Sequence, residues 1–191
     1  MDLLTFLMQS PDLSEPACAT RFASKWASKR VRRGAQIVRQ EEPEANEFIV
    51  LEGCCASRIN DAEGNEVCVG FHVGPCVVTP NIARTRDGVS LVSIEAMTDA
   101  VVAQLDSNIL IDLMITSEPV RDWANGVLRA ELGRKADREW CLAALGGSDR
   151  LSWFRDRFPG YEKRFTHSLI ASFLGVTPVT MSRLRNNERH K

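Results

Sequence analysis

The segment HSLIASFLGVTPVTMSRLRNN, His167 to Asn187, constrains this chain more tightly than any other stretch of it. Thr166 is placed to cap a first helix, Gly175 supplies the positive φ that a tight turn demands, and Thr177 followed by Pro178 opens a second helix. Ala171 is small where two helices must approach closely, and Ile170, Leu174, Val176, Met181 and Leu184 fall where they would pack on each other. Together these positions specify a helix-turn-helix. The alternative, a plain helical hairpin, leaves the joint agreement of caps, turn and buried positions unexplained.

What the second helix turns outward suggests its partner. Val179, Ser182, Arg183 and Asn186 recur at spacings of three and four, away from Met181 and Leu184, so they form a face fit for the major groove of double-stranded DNA. Arg183 is the expected base reader, because a guanidinium pairs with guanine O6 and N7; Val179 would touch a thymine methyl. The Thr177 and Thr180 hydroxyls are expected at phosphates, and His167 and Ser168 at the start of the first helix are further expected DNA-binding residues. Charge agrees. The net charge of −1 divides unequally: residues 150 to 191 hold nine Lys and Arg against three Asp and Glu, residues 1 to 149 fifteen against twenty-two. A basic module on an acidic body gains free energy at a polyanion through counterion release.

The body reads differently. At 191 residues, 44% apolar and 26% charged, the chain is too long for one average domain and too ordinary in composition for disorder, collagen or a coiled-coil fibre. Strands are expected over 37–39, 47–53, 66–73, 91–96 and 100–105, separated by turn residues such as Gly34, Gly64, Gly74-Pro75 and Asp87-Gly88. Many short strands predict a sandwich or barrel. A short helix over Ile109 to Ile115, capped by Asp106 or Ser107, precedes a proline-free helix from Val120 to Leu145. That helix would be about 39 Å long, more than a domain of this size needs for its own core. Its stripe of Val120, Trp123 and Val127 is therefore expected at a homodimer seam; the alternative is that the β domain covers it. A further helix begins after Ser148 as its cap and breaks at Pro159-Gly160.

Several classes are disfavoured. The cysteines at 18, 54, 55, 68, 76 and 141 show no C-x-x-C, and histidines stand only at 72, 167 and 190, so no metal site or cofactor is expected. His72 with Cys76, at i and i+4 of one strand, is the sharpest haem alternative, and a Cys68 with Cys76 pair the sharpest redox one. No nucleophile elbow or glycine-rich phosphate loop points to an enzyme. The apolar run near Ile109 to Ile115 is broken by Asp112, and Asp2 stands where a secretory signal needs a base, so a cytoplasmic, unprocessed chain is expected.

The strings VRRGAQIV (31–38), EFIVLEG (47–53), AEGNE (62–66), GFHVGPCV (70–77), SIEAMTDAVVAQL (93–105) and above all LIASFLGVTPVTMSRLR (169–185) resemble the Crp/Fnr superfamily, bacterial regulators related to the cyclic-AMP receptor protein. The resemblance implies an α+β chain: an N-terminal helical segment with a double-stranded β-roll of jelly-roll type (1–106), connecting and dimerisation helices (107–146), and a helix-turn-helix domain (147–191). It also implies a palindromic operator, RNA polymerase among the partners, and transcription regulation as the function, with a ligand- or redox-sensing β-roll acting through a protein partner as the alternative. One departure concerns the phosphate-binding cassette, whose place is taken by GPCVVTPNIARTRDG (74–88); Arg84 or Arg86 remain as candidates for an effector anion, and cyclic AMP is not the expected effector. Val179 stands where relatives often place an acid, so the preferred base pair should differ there. The sequence ends at Lys191, which predicts no β-wing and leaves Arg185, Arg189 and Lys191 as expected phosphate contacts.

Overall fold

The computed structural model describes residues 1–188 of the chain, which form two compact units. The first unit comprises residues 1–57 and 71–131; the second comprises 58–70 and the chain from 132 onward.

Helices α1 (Leu3–Leu7) and α2 (Pro16–Ala23) open the first unit. Asp2 caps α1 by accepting from the Thr5 amide at 2.8 Å, and Pro16 begins α2, where a missing N–H costs nothing. Ten strands follow: β1 (Ala27–Val31), β2 (Gln36–Val38), β3 (Asn46–Glu52), β4 (Cys54–Asn60), β5 (Glu66–Val73), β6 (Cys76–Val77), β7 (Thr85–Arg86), β8 (Val89–Ser90), β9 (Ser93–Ala96) and β10 (Ala100–Asp106). They form two four-stranded sheets, ordered β1-β10-β3-β6 and β2-β9-β4-β5, plus the β7-β8 hairpin, as a double-stranded roll requires. A short helix α3 (Asn81–Arg84) lies between β6 and β7.

Each expected strand region overlaps an observed strand, while β1, β4, β6, β7 and β8 lie outside the expected regions. The sequence of β1, ASKRV, is polar and largely exposed; it is a strand because its backbone pairs with β10, from Ala27 opposite Gln104 to Val31 opposite Ala100. In β4 the buried residues Cys54, Cys55, Ala56 and Ser57 are small and carry no alternation to read. Gly53 makes the turn into β4 with φ +85°, and a Cβ there would stand 2.4 Å from the Asp99 carbonyl oxygen.

Strand β3 is buried on both faces, which explains its continuous apolar run Phe48 to Leu51. Ile49 and Leu51, with Ala103 and Leu105 of β10, pack against Phe22, Trp26, Leu110, Val120 and Trp123. Leu110 lies on α4 (Ser107–Thr116), capped by Asp106 through the Asn108 amide at 2.8 Å; Val120 and Trp123 lie on α5 (Glu118–Ala144). This corrects the reading of Val120 and Trp123 as seam residues. They are 2% and 7% exposed, covered by the unit's own core, and Val127 is half-buried against it. The first turns of α5 supply the sheet with an apolar layer.

Two smaller expectations also change. Helix α6 (Gly147–Arg157) starts after Gly146 with no side-chain cap, so Ser148 does not cap it. His72 and Cys76 do not share a strand: His72 lies on β5, where its Nε2 is 2.8 Å from Ser57 Oγ, and Cys76 opens β6.

In the second unit, α6 packs with α7 (His167–Phe173) and α8 (Pro178–Glu188) around aromatic side chains. Phe158 is central, with its ring centroid 5.1 Å from Phe154, 5.3 Å from Tyr161 and 5.8 Å from Phe173. Such tilted and edge-on pairs contribute beyond their buried area. The hairpin 58–70 belongs to this unit. The Cys68 amide donates to Ser172 Oγ at 2.9 Å, and the Arg138 guanidinium lies 4.7 Å over the Phe173 ring while donating to the Phe173 carbonyl at 3.1 Å. Among the described residues, no helix is long and apolar enough to cross a membrane.

Candidate nucleic-acid interface

Local chemistry builds the two helices as their residues suggest. The Leu169 amide donates to Thr166 Oγ1 at 3.3 Å at the start of α7, and the Thr180 amide donates to Thr177 Oγ1 at 3.1 Å at the start of α8. Gly175 takes φ +63° in the turn, and the Val176 amide closes it on the Ala171 carbonyl at 3.0 Å. Ala171 and Ile170 are wholly buried, as is Met181 on the facing side of α8, so α8 is docked by one face.

The opposite face is open. Val179 is 60% exposed, and Ser182, Arg183 and Asn186 are exposed beside it. His167 and Ser168 are exposed at the start of α7. The Thr177 hydroxyl is occupied at its cap, 2.9 Å from Thr180 Oγ1, and Thr180 is half-buried. Arg185 does not project freely from this face: its Nε is 3.4 Å from Glu162 and its Nη1 is 2.8 Å from His167 Nδ1. Arg189 and Lys191 lie outside the described residues.

Arg150, which sequence reasoning passed over, braces the unit. Its guanidinium donates from Nε to the Leu145 carbonyl at 2.9 Å, from Nη2 to that of Leu142 at 2.9 Å, and from Nη1 to that of Leu174 at 3.0 Å. Those carbonyls close α5 and α7, where backbone acceptors lack helical partners. A basic residue shortly after a helix end was the only available signal. Arg150→Ala is expected to lower the stability of this unit by about 1.5–3 kcal/mol, the range for charged hydrogen bonds, read as a lower midpoint in urea.

The two effector candidates part company. Arg84 is 1% exposed; its Nε donates to the Thr79 carbonyl at 3.0 Å, its Nη2 to the Asn46 carbonyl, and the group lies 5.2 Å over the Phe48 ring. Burial lowers its pKa, opposed by the charges of Glu44 and Glu47. Of its donors, Nη1 is buried without a partner among the described residues. Arg86 is exposed on β7. All six cysteines are free, and burial pushes the Cys55 and Cys68 thiols up to about 12, away from the thiolate that redox chemistry uses.

The backbone matches known structures. It aligns with FixK2 from Bradyrhizobium japonicum at a TM-score of 0.72 and 18% identity, over 86% of this chain and 85% of that one. For a CooA mutant from Carboxydothermus hydrogenoformans the values are 0.74 and 17%, over 100% and 85%. A transcriptional regulator assigned to the Crp/Fnr family, from Eubacterium rectale, gives 0.70 and 18%, over 90% and 82%. No protein-family model matches the sequence, and no curated protein matches it. At these identities the likeness is one of architecture, and by that likeness the chain has a Crp/Fnr-like fold.

Proposed function

We propose that this chain is a sequence-specific DNA-binding transcriptional regulator of the Crp/Fnr type that works as a homodimer, with RNA polymerase among its partners. In this reading residues 1–106 sense a signal other than cyclic AMP, 107–146 join two copies, and 147–191 read the operator. One observation carries it: α8 buries Met181 completely and exposes Val179, Ser182, Arg183 and Asn186. A helix held by one face and open on the other, about 10–12 Å across, suits a major groove about 12 Å wide.

The dimer seam moves to another face of α5. Gly126, Gly133 and Trp140 recur at heptad spacing; a Cβ added at either glycine would meet nothing within 4 Å, and Trp140 is 57% exposed. Leu132, 58% exposed, flanks them. Glycines at such a seam let two helix backbones approach closely, with Trp140 as the large apolar group that a pair would cover.

The cassette argues against a cyclic nucleotide. Arg84 is buried with two of its donors on backbone carbonyls, and Arg86 is exposed. Calorimetry with cyclic AMP is expected to show no binding at tens of micromolar; micromolar affinity coupled to tighter DNA binding would overturn this.

The deciding experiment selects sequences from a randomised duplex pool and sediments the purified protein. A palindromic consensus with half-sites about one helical turn apart, together with a dimer, is the expected outcome. No enrichment of any sequence would remove the reading.

A further inference from the structure

Arg183 and Arg185 are close neighbours on α8, but of the two only Arg183 is exposed. Arg185 is 28% exposed and is engaged on two sides. A guanidinium has donors only, so His167 Nδ1, 2.8 Å from Arg185 Nη1, must accept that hydrogen bond. On the other side stands Glu162, 24% exposed, whose carboxylate takes the Arg155 Nε at 2.7 Å and has the Arg185 Nε at 3.4 Å. The hydrogen bond from Arg155, helped by the charges of Arg155 and Arg185, holds the Glu162 carboxyl below the usual carboxylate range. The Glu162 carboxylate is therefore charged at neutral pH, and its ion pairs are lost as pH falls through that lowered value.

Glu162 is not a loose surface acid. It belongs to the 3-10 turn Tyr161–Lys163, which follows Gly160 at φ +81°; Tyr161 is packed 5.3 Å from Phe158 and 5.6 Å from Phe165. One carboxylate thus joins α6 through Arg155 to α8 through Arg185, and Arg185 passes the connection to the first residue of α7.

We propose that Glu162 determines the DNA specificity of this chain by withholding Arg185 from the phosphate backbone and using it to hold the recognition helix in place. The inference rests on the DNA-binding reading above. Each cation that neutralises a phosphate adds affinity for any sequence, and steepens the dependence of log K on log salt by about 0.9. An unpaired Arg185 beside Arg183 would raise binding to every duplex alike. Paired, it contributes to where α8 sits, and discrimination is left to the groups that meet base edges.

The test compares wild type, Glu162→Gln, Glu162→Asp and Arg185→Leu on the selected operator and on a random duplex of equal length, between about 50 and 200 mM salt. Helix content and melting are measured alongside. Glu162→Gln is expected to bind random DNA severalfold more tightly, with a slope steeper by about one per recognition helix and a lower ratio of operator to random affinity. Glu162→Asp, which keeps the charge, should restore the shallower slope. Arg185→Leu should lower the ratio without lowering the slope, and it decides the matter even if Glu162→Gln fails to fold. A merely structural acid would weaken both duplexes together and steepen nothing. The proposal is overturned if Arg185→Leu lowers the slope by about one, because Arg185 is then already on a phosphate, or if a folded Glu162→Gln leaves the slope unchanged. Wild-type protein that retards no duplex even at the lowest salt would remove the DNA-binding reading itself, an outcome distinct from either.

Discussion

Replacing Trp123 by alanine is expected to cost the first unit about 3–5 kcal/mol, the range for truncating a buried aromatic side chain. The ring is 7% exposed, lies 5.2 Å from Phe22 at an edge-to-face angle of 70°, and closes the layer over Ile49, Leu51, Ala103 and Leu105. Phe22 is in turn 5.8 Å from Trp26, so the cavity would open beside two packed aromatic rings that cannot both shift to fill it. A urea titration followed by circular dichroism reads the loss as a lower midpoint, and sedimentation of the still-folded variant should show self-association unchanged. Trp140→Ala should behave in the opposite way. That side chain is 57% exposed, so stability should change by less than about 1 kcal/mol while the dimer weakens. A Trp123 variant that melts normally but falls apart into monomers would put the seam back on the Val120, Trp123, Val127 stripe.

Arg183→Ala should cost about 1–3 kcal/mol at each half-site, hence about twice that for a dimer on its operator, and should flatten discrimination at one base pair in each half-site. The basis is the position of Arg183 on the exposed face of α8, one residue from Ser182 and two from the buried Met181. Because a base contact is made only on the right sequence, binding to random DNA should change little. Selection on randomised operators separates this from a phosphate contact. If base preference survives while the salt slope falls by about one per contact, Arg183 lies on the backbone, and Val179, Ser182 or Asn186 carries the readout.

Sequence alone determined the features whose physics is local. The capping of α7 by Thr166 and α8 by Thr177, the left-handed turn at Gly175 and the apolar period that buries Ile170 and Met181 each act within a few residues, so their evidence is contiguous. The tertiary structure decided whatever needed a distant partner. Strand β1 exists because β10, some seventy positions on, offers it a ladder. Strand β4 is made of small residues whose burial comes from its neighbours. A helical stripe such as Val120 to Val127 states that something apolar covers it, and only the position of Phe22 and the sheet shows that the cover is internal. The arginines show this most sharply. In sequence Arg84 and Arg185 both stand as contacts for an anion, because a side chain long enough to reach water, a carbonyl or a carboxylate carries no local sign of which it will meet. Folding buries Arg84 against the Asn46 and Thr79 carbonyls, pairs Arg185 with Glu162, and leaves Arg183 on the open face.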